Sequence, residues 1–160
     1  MWTEENTFYN MMYKDILDQL PYKSIFLFVD RISYLDEGEV RGEYTLKKEA
    51  FFYEDHFPGN PVTPGVILTE IMAQIGLVTL GIYLVPKRPD MGNVYPLLTS
   101  TDVSFHKMVL PGDTVYVHSK KQYFRFGKLK CYVIMTDGDG RRIAEGTFSG
   151  VIKLINQPVP

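Results

Sequence analysis

A chain of 160 residues and 18.4 kDa has the length of one ordinary domain, and 45% hydrophobic residues are enough to fill a core. Charged residues at 22% and a formal net charge of −2 exclude a disordered chain and give no reason to propose a nucleic-acid partner. A single cysteine, Cys131, excludes an intrachain disulfide framework and fits a reducing compartment, so the expected location is cytoplasmic.

In chain order, Phe8, Met11, Met12, Ile16 and Leu17 recur at helical spacing and predict a short amphipathic helix from about Thr7 to Gln19. Acidic residues Glu4, Glu5, Asp15 and Asp18 break any signal-peptide pattern there, so residues 1–20 read as a helical extension of a single domain covering 1–160. Pro21 ends the helix. Phe26-Leu27-Phe28-Val29, with Ile32 and Tyr34, predicts a strand. Asp36-Glu37-Gly38 is a turn, and Glu39–Leu46 its partner strand. The aromatic run Phe51-Phe52-Tyr53 leads into a Pro/Gly-rich loop. Thr63 is placed to cap a helix that has Pro64 at its first position and runs to about Leu84, before Pro86. Val66–Val85 has the length of a bilayer span, but it carries Glu70, Gln74 and Thr79 and has no companion, so no membrane span is expected. A helix apolar on nearly every side is the buried centre of a domain. Strand-like runs follow at about Tyr95–Phe105, Thr114–Phe126, Lys130–Thr136 and Arg142–Leu154, with a hairpin turn at Asp137-Gly138-Asp139-Gly140. The elements sum to an α+β fold: one long helix with five or six mostly antiparallel strands.

The chemistry-bearing residues cluster between His56 and Gln74. Glu70 lies on the helix fourteen residues after His56, and Gln74 is one turn beyond, on the same face, able to hydrogen-bond to it. Burial among Val66, Ile67, Ile71 and Met72 favours Glu70 as a protonated acid, while His56 on its loop can act as base. The helix N-terminus at Gly65 offers free N–H groups, and no side chain blocks an approaching carbonyl oxygen. A base, an acid and oriented N–H donors suit proton removal beside a carbonyl coupled to loss of a hydroxyl. A loop histidine and a paired buried glutamate also occur in proteins without such chemistry, and residue types leave both readings open.

The string His56-Phe57-Pro58-Gly59-Asn60-Pro61-Val62-Thr63-Pro64-Gly65-Val66 with Glu70, Met72, Ala73 and Gln74 resembles the signature of the bacterial 3-hydroxyacyl-[acyl-carrier-protein] dehydratases. Leu20-Pro21-Tyr22-Lys23 with Phe26–Arg31, and Phe105-His106-Lys107 with Val109–Asp113, resemble the flanking motifs of that family. The resemblance implies a hot-dog fold, a curved antiparallel sheet wrapped around a long central helix. It implies a homodimer, often a trimer of dimers, with each site shared between two chains. It implies reversible dehydration of a 3-hydroxyacyl thioester, held on the phosphopantetheine arm of acyl carrier protein, to the trans-2-enoyl thioester, with no cofactor and no metal. By position, His56 matches the catalytic base and Glu70 the catalytic acid. The Gly65 N–H matches the donor to the thioester carbonyl, the Val62 carbonyl the group that orients the imidazole, and Gln74 the residue that holds the acid. Tyr22 departs from the family, which usually has His there, and Thr63 stands where Met is common.

Between Thr114 and Thr136 there is no acidic residue, while Lys120, Lys121, Arg125, Lys128 and Lys130 form a basic stretch suited to an acidic carrier protein, or to protecting a strand edge. His56, His106 and His118 lack metal-ligand spacing. Two other functions fit the same fold: an acyl thioesterase, and a non-catalytic partner subunit of a dehydratase.

Overall fold

The computed structural model describes residues 13–85 and 93–155. Its elements are helix α1 (Lys14–Leu17), a 3₁₀ turn (Ser24–Phe26), strands β1 (Arg31–Leu35) and β2 (Glu39–Thr45), a long helix, and strands β3 (Asn93–Phe105), β4 (Thr114–Arg125), β5 (Lys128–Thr136) and β6 (Arg142–Ile155). The long helix has three parts: α2 (Gly65–Ala73), a π-turn (Gln74–Val78) and α3 (Thr79–Leu84). The six strands form one antiparallel sheet in the order β1-β2-β4-β5-β6-β3. This is the hot-dog arrangement that the family resemblance implies.

Period-two alternation builds the inner face. Val115, Val117 and Ser119 of β4 and Leu129, Cys131, Val133 and Met135 of β5 are buried, while their neighbours face outward or stay half-exposed. The helix lies in the resulting trough, and every residue from Ile71 to Gly81 is buried. That explains a helix apolar on all sides: it is long and apolar enough to cross a bilayer, but 67% of its most apolar window is covered by the protein itself. Helix and sheet approach closely at Gly76, where an added Cβ would lie 3.0 Å from both the Ser119 Cβ and Val133 Cγ1. At the same level the Ser119 hydroxyl donates to the Gly76 carbonyl at 2.8 Å. Thr79 closes the π-turn by donating both its N–H and its hydroxyl to the Gln74 carbonyl. Burial pushes the Cys131 thiol up to about 11, so it is a core residue without nucleophilic character.

Three expectations need correction. Phe26–Val29 is not a strand, because its backbone turns to a side chain instead: the Phe28 N–H donates to Gln74 Oε1 at 2.8 Å and the Phe26 carbonyl accepts from Gln74 Nε2 at 2.9 Å. Regular pairing begins at Arg31. Thr63 does not cap the helix. Its buried hydroxyl is 2.5 Å from the Tyr53 hydroxyl, and the helix starts one residue later than expected, with Pro64 as its N-cap. The N-terminal helix covers only Lys14–Leu17 among the described residues, and the stretch from Thr7 to Met12 lies outside them. The hairpin at Asp137–Gly140 forms as its sequence predicts, with Gly140 at φ 78° and its N–H on the Asp137 carbonyl.

Candidate active site

Residues 46–64 form the loop that carries His56. The backbone closes on itself in short turns: His56 N–H to the Phe52 carbonyl at 3.1 Å, Asn60 N–H to the Phe57 carbonyl at 2.9 Å, and Val62 N–H to the His56 carbonyl at 2.9 Å. Gly59 at φ 70° supplies the left-handed residue this reversal requires. The His56–Phe57 peptide is cis, and the two rings stack with centroids 4.1 Å apart. Thr63 anchors the loop end, through its hydroxyl on Tyr53 and its N–H on the Val109 carbonyl at 2.9 Å.

The imidazole makes one hydrogen bond, His56 Nδ1 to the Val62 carbonyl at 2.7 Å. A carbonyl only accepts, so Nδ1 carries the proton, and Nε2 of the neutral ring presents a lone pair. The chain then enters α2. The first helical bonds run from the Ile67 and Leu68 N–H groups to the Pro64 carbonyl, so the N–H groups of Gly65 and Val66 precede the bonded ladder. The ring of Phe105 lies over the helix start: a Cβ on Gly65 would come 3.3 Å from its Cζ, so a larger residue there would have to shift the ring.

Glu70 is half-buried on the next turn. Gln74, fully buried, donates from Nε2 to Glu70 Oε1 at 2.9 Å. The same amide holds Phe26 and Phe28, so it makes three hydrogen bonds and ties the carboxylate to the segment before β1. Burial holds the Glu70 carboxyl above its ordinary range, opposed in part by the bond from Gln74. Glu70 lines a cavity of about 220 Å³ that runs along the helix past Ala73, Leu77 and Gly81, walled on the sheet side by Leu129 and Ile152. Glycines keep this wall thin: Cβ atoms at Gly81 and Gly150 would lie 3.3 Å from Ile152 Cδ1 and 2.8 Å from Leu77 Cδ2.

The chain thus assembles two clusters. Glu70 and Gln74 meet in one. His56 and Val62 meet in the other, just before Gly65 at the start of the helix, and His56 is not among the residues lining the Glu70 cavity. The five basic residues share the far half of the β4–β5 hairpin, where Tyr123 pairs with Lys130 and Arg125 with Lys128. Lys128 and Lys130 flank the buried Leu129, which puts their side chains on the face opposite the cavity. The hairpin tip adds Phe126, 91% exposed, with the Arg125 guanidinium 4.8 Å from its ring centroid. The other histidines sit in surface pairs, His118 with Glu39 at 2.9 Å and His106 with Glu145 at 3.4 Å. Phe52 and Tyr53 pack in the core while Phe51 is exposed. Among the described residues no cluster of three His, Cys, Asp or Glu side chains is arranged to hold a metal ion. Sequence reasoning did not find the two backbone contacts of Gln74, for which a glutamine amid apolar helix residues was the available signal; Tyr22, which departs from the motif, lines the cavity.

Residues 20–147 match the family model described as a FabA-like domain. The chain is 35% identical over 144 residues to the 3-hydroxyacyl-[acyl-carrier-protein] dehydratase FabZ of Caldicellulosiruptor saccharolyticus, covering 86% of this chain and 96% of that protein. It is 38% identical over 123 residues to the FabZ of Saccharophagus degradans, covering 74% and 83%. Among solved structures it is similar to the dehydratase heterocomplex ApeI:P of Xenorhabdus doucetiae, with a TM-score of 0.71 at 13% identity, covering 88% of this chain and 91% of that one. A hypothetical thioesterase with coenzyme A from Streptococcus pneumoniae has a TM-score of 0.62 at 14% identity, covering 91% and 99%. At such identities these two structures share the fold.

Proposed function

This chain belongs to the FabA-like family, and from that premise we propose that it is a 3-hydroxyacyl-[acyl-carrier-protein] dehydratase of fatty acid or related acyl-chain biosynthesis. The observation that carries the reading is a carboxyl in the wall of an apolar cavity whose burial favours the protonated form, the form an acid needs to release water. In this reading the acyl chain lies along the cavity. His56 Nε2 takes the proton from the carbon next to the thioester carbonyl, and Glu70 gives its proton to the departing hydroxyl. The Gly65 N–H holds the carbonyl oxygen as negative charge develops there. Val62 keeps the imidazole in the reactive tautomer, and Gln74 aims the acid.

The separation of His56 from the Glu70 cavity supports a homodimer in which each site takes its base from one chain and its acid from the other. β3 suits that pairing: it is a thirteen-residue edge strand that exposes Leu97, Leu98 and Phe105. Acyl carrier protein, which is acidic, would dock on Lys120, Lys121, Arg125, Lys128 and Lys130. We read the whole chain as one domain acting in the cytoplasm.

The test is turnover of a 3-hydroxyacyl carrier-protein substrate, with enoyl product followed by mass. Activity is expected in the wild type and is lost in both His56→Ala and Glu70→Gln. Mixing the two inactive variants under exchange should restore activity, because one site of each mixed dimer receives both intact residues. Release of free thiol without enoyl product would point to a thioesterase. Activity that appears only with a second, different chain would make this one a partner subunit.

A further inference from the structure

Among the described residues lining the Glu70 cavity, only Glu70 and Tyr22 carry polar side-chain groups; the rest are aliphatic, proline or glycine. The mechanism above leaves Tyr22 unused. Its place relative to Glu70 is fixed by a shared anchor. The Gln74 amide holds Glu70 Oε1 on one side and the Phe26 and Phe28 backbone on the other, and Tyr22 belongs to that second segment. The Tyr22 ring rests 6.1 Å from the Phe26 ring and packs against the core. Gln74 occupies Glu70 Oε1, and among the described residues Oε2 accepts no hydrogen bond. Among the described residues the Tyr22 hydroxyl has no hydrogen-bond partner. Burial and the Glu70 charge both hold the phenol above its ordinary range, so it remains a proton-bearing donor.

We propose that the Tyr22 hydroxyl donates a hydrogen bond to the substrate oxygen that leaves, so that Tyr22 and Glu70 hold this oxygen between them. The inference rests on the dehydratase reading. In the step, the bond from C3 to oxygen breaks and its electron pair departs with the oxygen, which receives the Glu70 proton and becomes water. His56 takes the C2 proton, and the C2–H electron pair becomes the C2=C3 bond. Tyr22 keeps its own proton throughout. Its donated bond offsets the negative charge that builds on the oxygen before the Glu70 proton has crossed, and the apolar wall strengthens that bond. A histidine at this position, as the family usually has, can also donate, so the exchange for tyrosine preserves the donor while adding a ring to the cavity wall.

Tyr22→Phe removes one oxygen and keeps the ring. The expected result is a fall in kcat/KM of about tenfold in both directions: KM for the 3-hydroxyacyl substrate rises in dehydration, whereas in hydration of the enoyl substrate kcat falls with KM nearly unchanged. Tyr22→His should recover part of the loss. A second measurement does not need turnover. In the Glu70→Gln background, calorimetry compares binding of a 3-hydroxyacyl pantetheine thioester with its counterpart lacking the hydroxyl. Tyr22 should favour the hydroxylated ligand by roughly three- to tenfold, and adding Tyr22→Phe should abolish that preference without weakening the other ligand. A preference that survives Tyr22→Phe, or an equal loss of affinity for both ligands, overturns the proposal and leaves Tyr22 as wall. Absence of enoyl product from the wild type would overturn the dehydratase reading instead, and the binding comparison would still decide whether Tyr22 meets the 3-hydroxyl.

Discussion

His56 stands on a loop whose next five residues, 57–61, are all exposed, whereas Glu70 stands on a helix whose next eleven residues are all buried. The turns around His56 are local, with the long-range bond from the Thr63 N–H to the Val109 carbonyl only at the loop's end, and the imidazole makes one hydrogen bond, to a backbone carbonyl, beside its stack on Phe57. The helix side is built from contacts far apart in sequence: the amide beside Glu70 reaches back 46 and 48 residues to Phe28 and Phe26. A base that must accept and release a proton needs a defined tautomer and access. An acid that must stay protonated needs a water-poor, rigid setting. In the proposed reaction the two halves would meet those needs by different constructions, one mostly local and open, the other long-range and closed.

The sharpest way to break this contrast is to remove each titrating group and read activity and stability together. His56→Ala and Glu70→Gln should each lower kcat by about 10²- to 10⁴-fold. Thermal melts should then separate them: His56→Ala changes stability by less than about 0.5 kcal/mol, as expected on an open loop, while Glu70→Gln raises Tm above neutral pH by removing a buried charge. A Glu70→Gln protein less stable than wild type at pH 8 would contradict the closed setting.

Gln74→Leu tests the long-range anchor. It leaves the Phe26 carbonyl and Phe28 N–H without partners and is expected to cost about 2–4 kcal/mol in denaturant unfolding, with activity falling in parallel. On the loop side the matching change is Tyr53→Phe, which removes the partner of the buried Thr63 hydroxyl and should cost only about 1 kcal/mol.

The smallest effect is in pH dependence. The folded protein holds the Glu70 proton above the ordinary carboxyl value of 4.5, so between that value and its folded pKa the native state binds more protons than the unfolded one. Stability contributed by this group therefore falls as pH rises through 4.5 and levels off above the folded pKa. Asp30, also raised by burial, adds a slope of the same sign, so Glu70→Gln should flatten the unfolding profile in this window without removing its tilt.

How much of this was legible in the sequence follows the same division. The strands were legible where alternation is strict, as in Leu129, Cys131, Val133 and Met135, and so was the hairpin at Asp137–Gly140, because both signals are local. The contact of Glu70 with Gln74 was legible from helical spacing alone. Phe26–Val29 misled because its hydrophobic run reads as a strand, while its hydrogen-bond partner is a side chain decades of residues away. Thr63 misled for the same reason: a helix-capping residue was diverted by a buried tyrosine hydroxyl. The π-turn at Gln74–Val78 has no local sequence signature, and neither has the cavity, which exists only where helix, β3, β5 and β6 meet.

The edge strand β3 carries a further consequence. From Leu97 to Thr101, beyond Pro96, which lacks an N–H, this edge has exposed leucines at Leu97 and Leu98 and no charged side chain before Asp102. Such an edge can template any extended chain. A chain in which that edge stays uncovered is therefore expected to aggregate more readily than one in which it is covered, even with His56 and Glu70 intact.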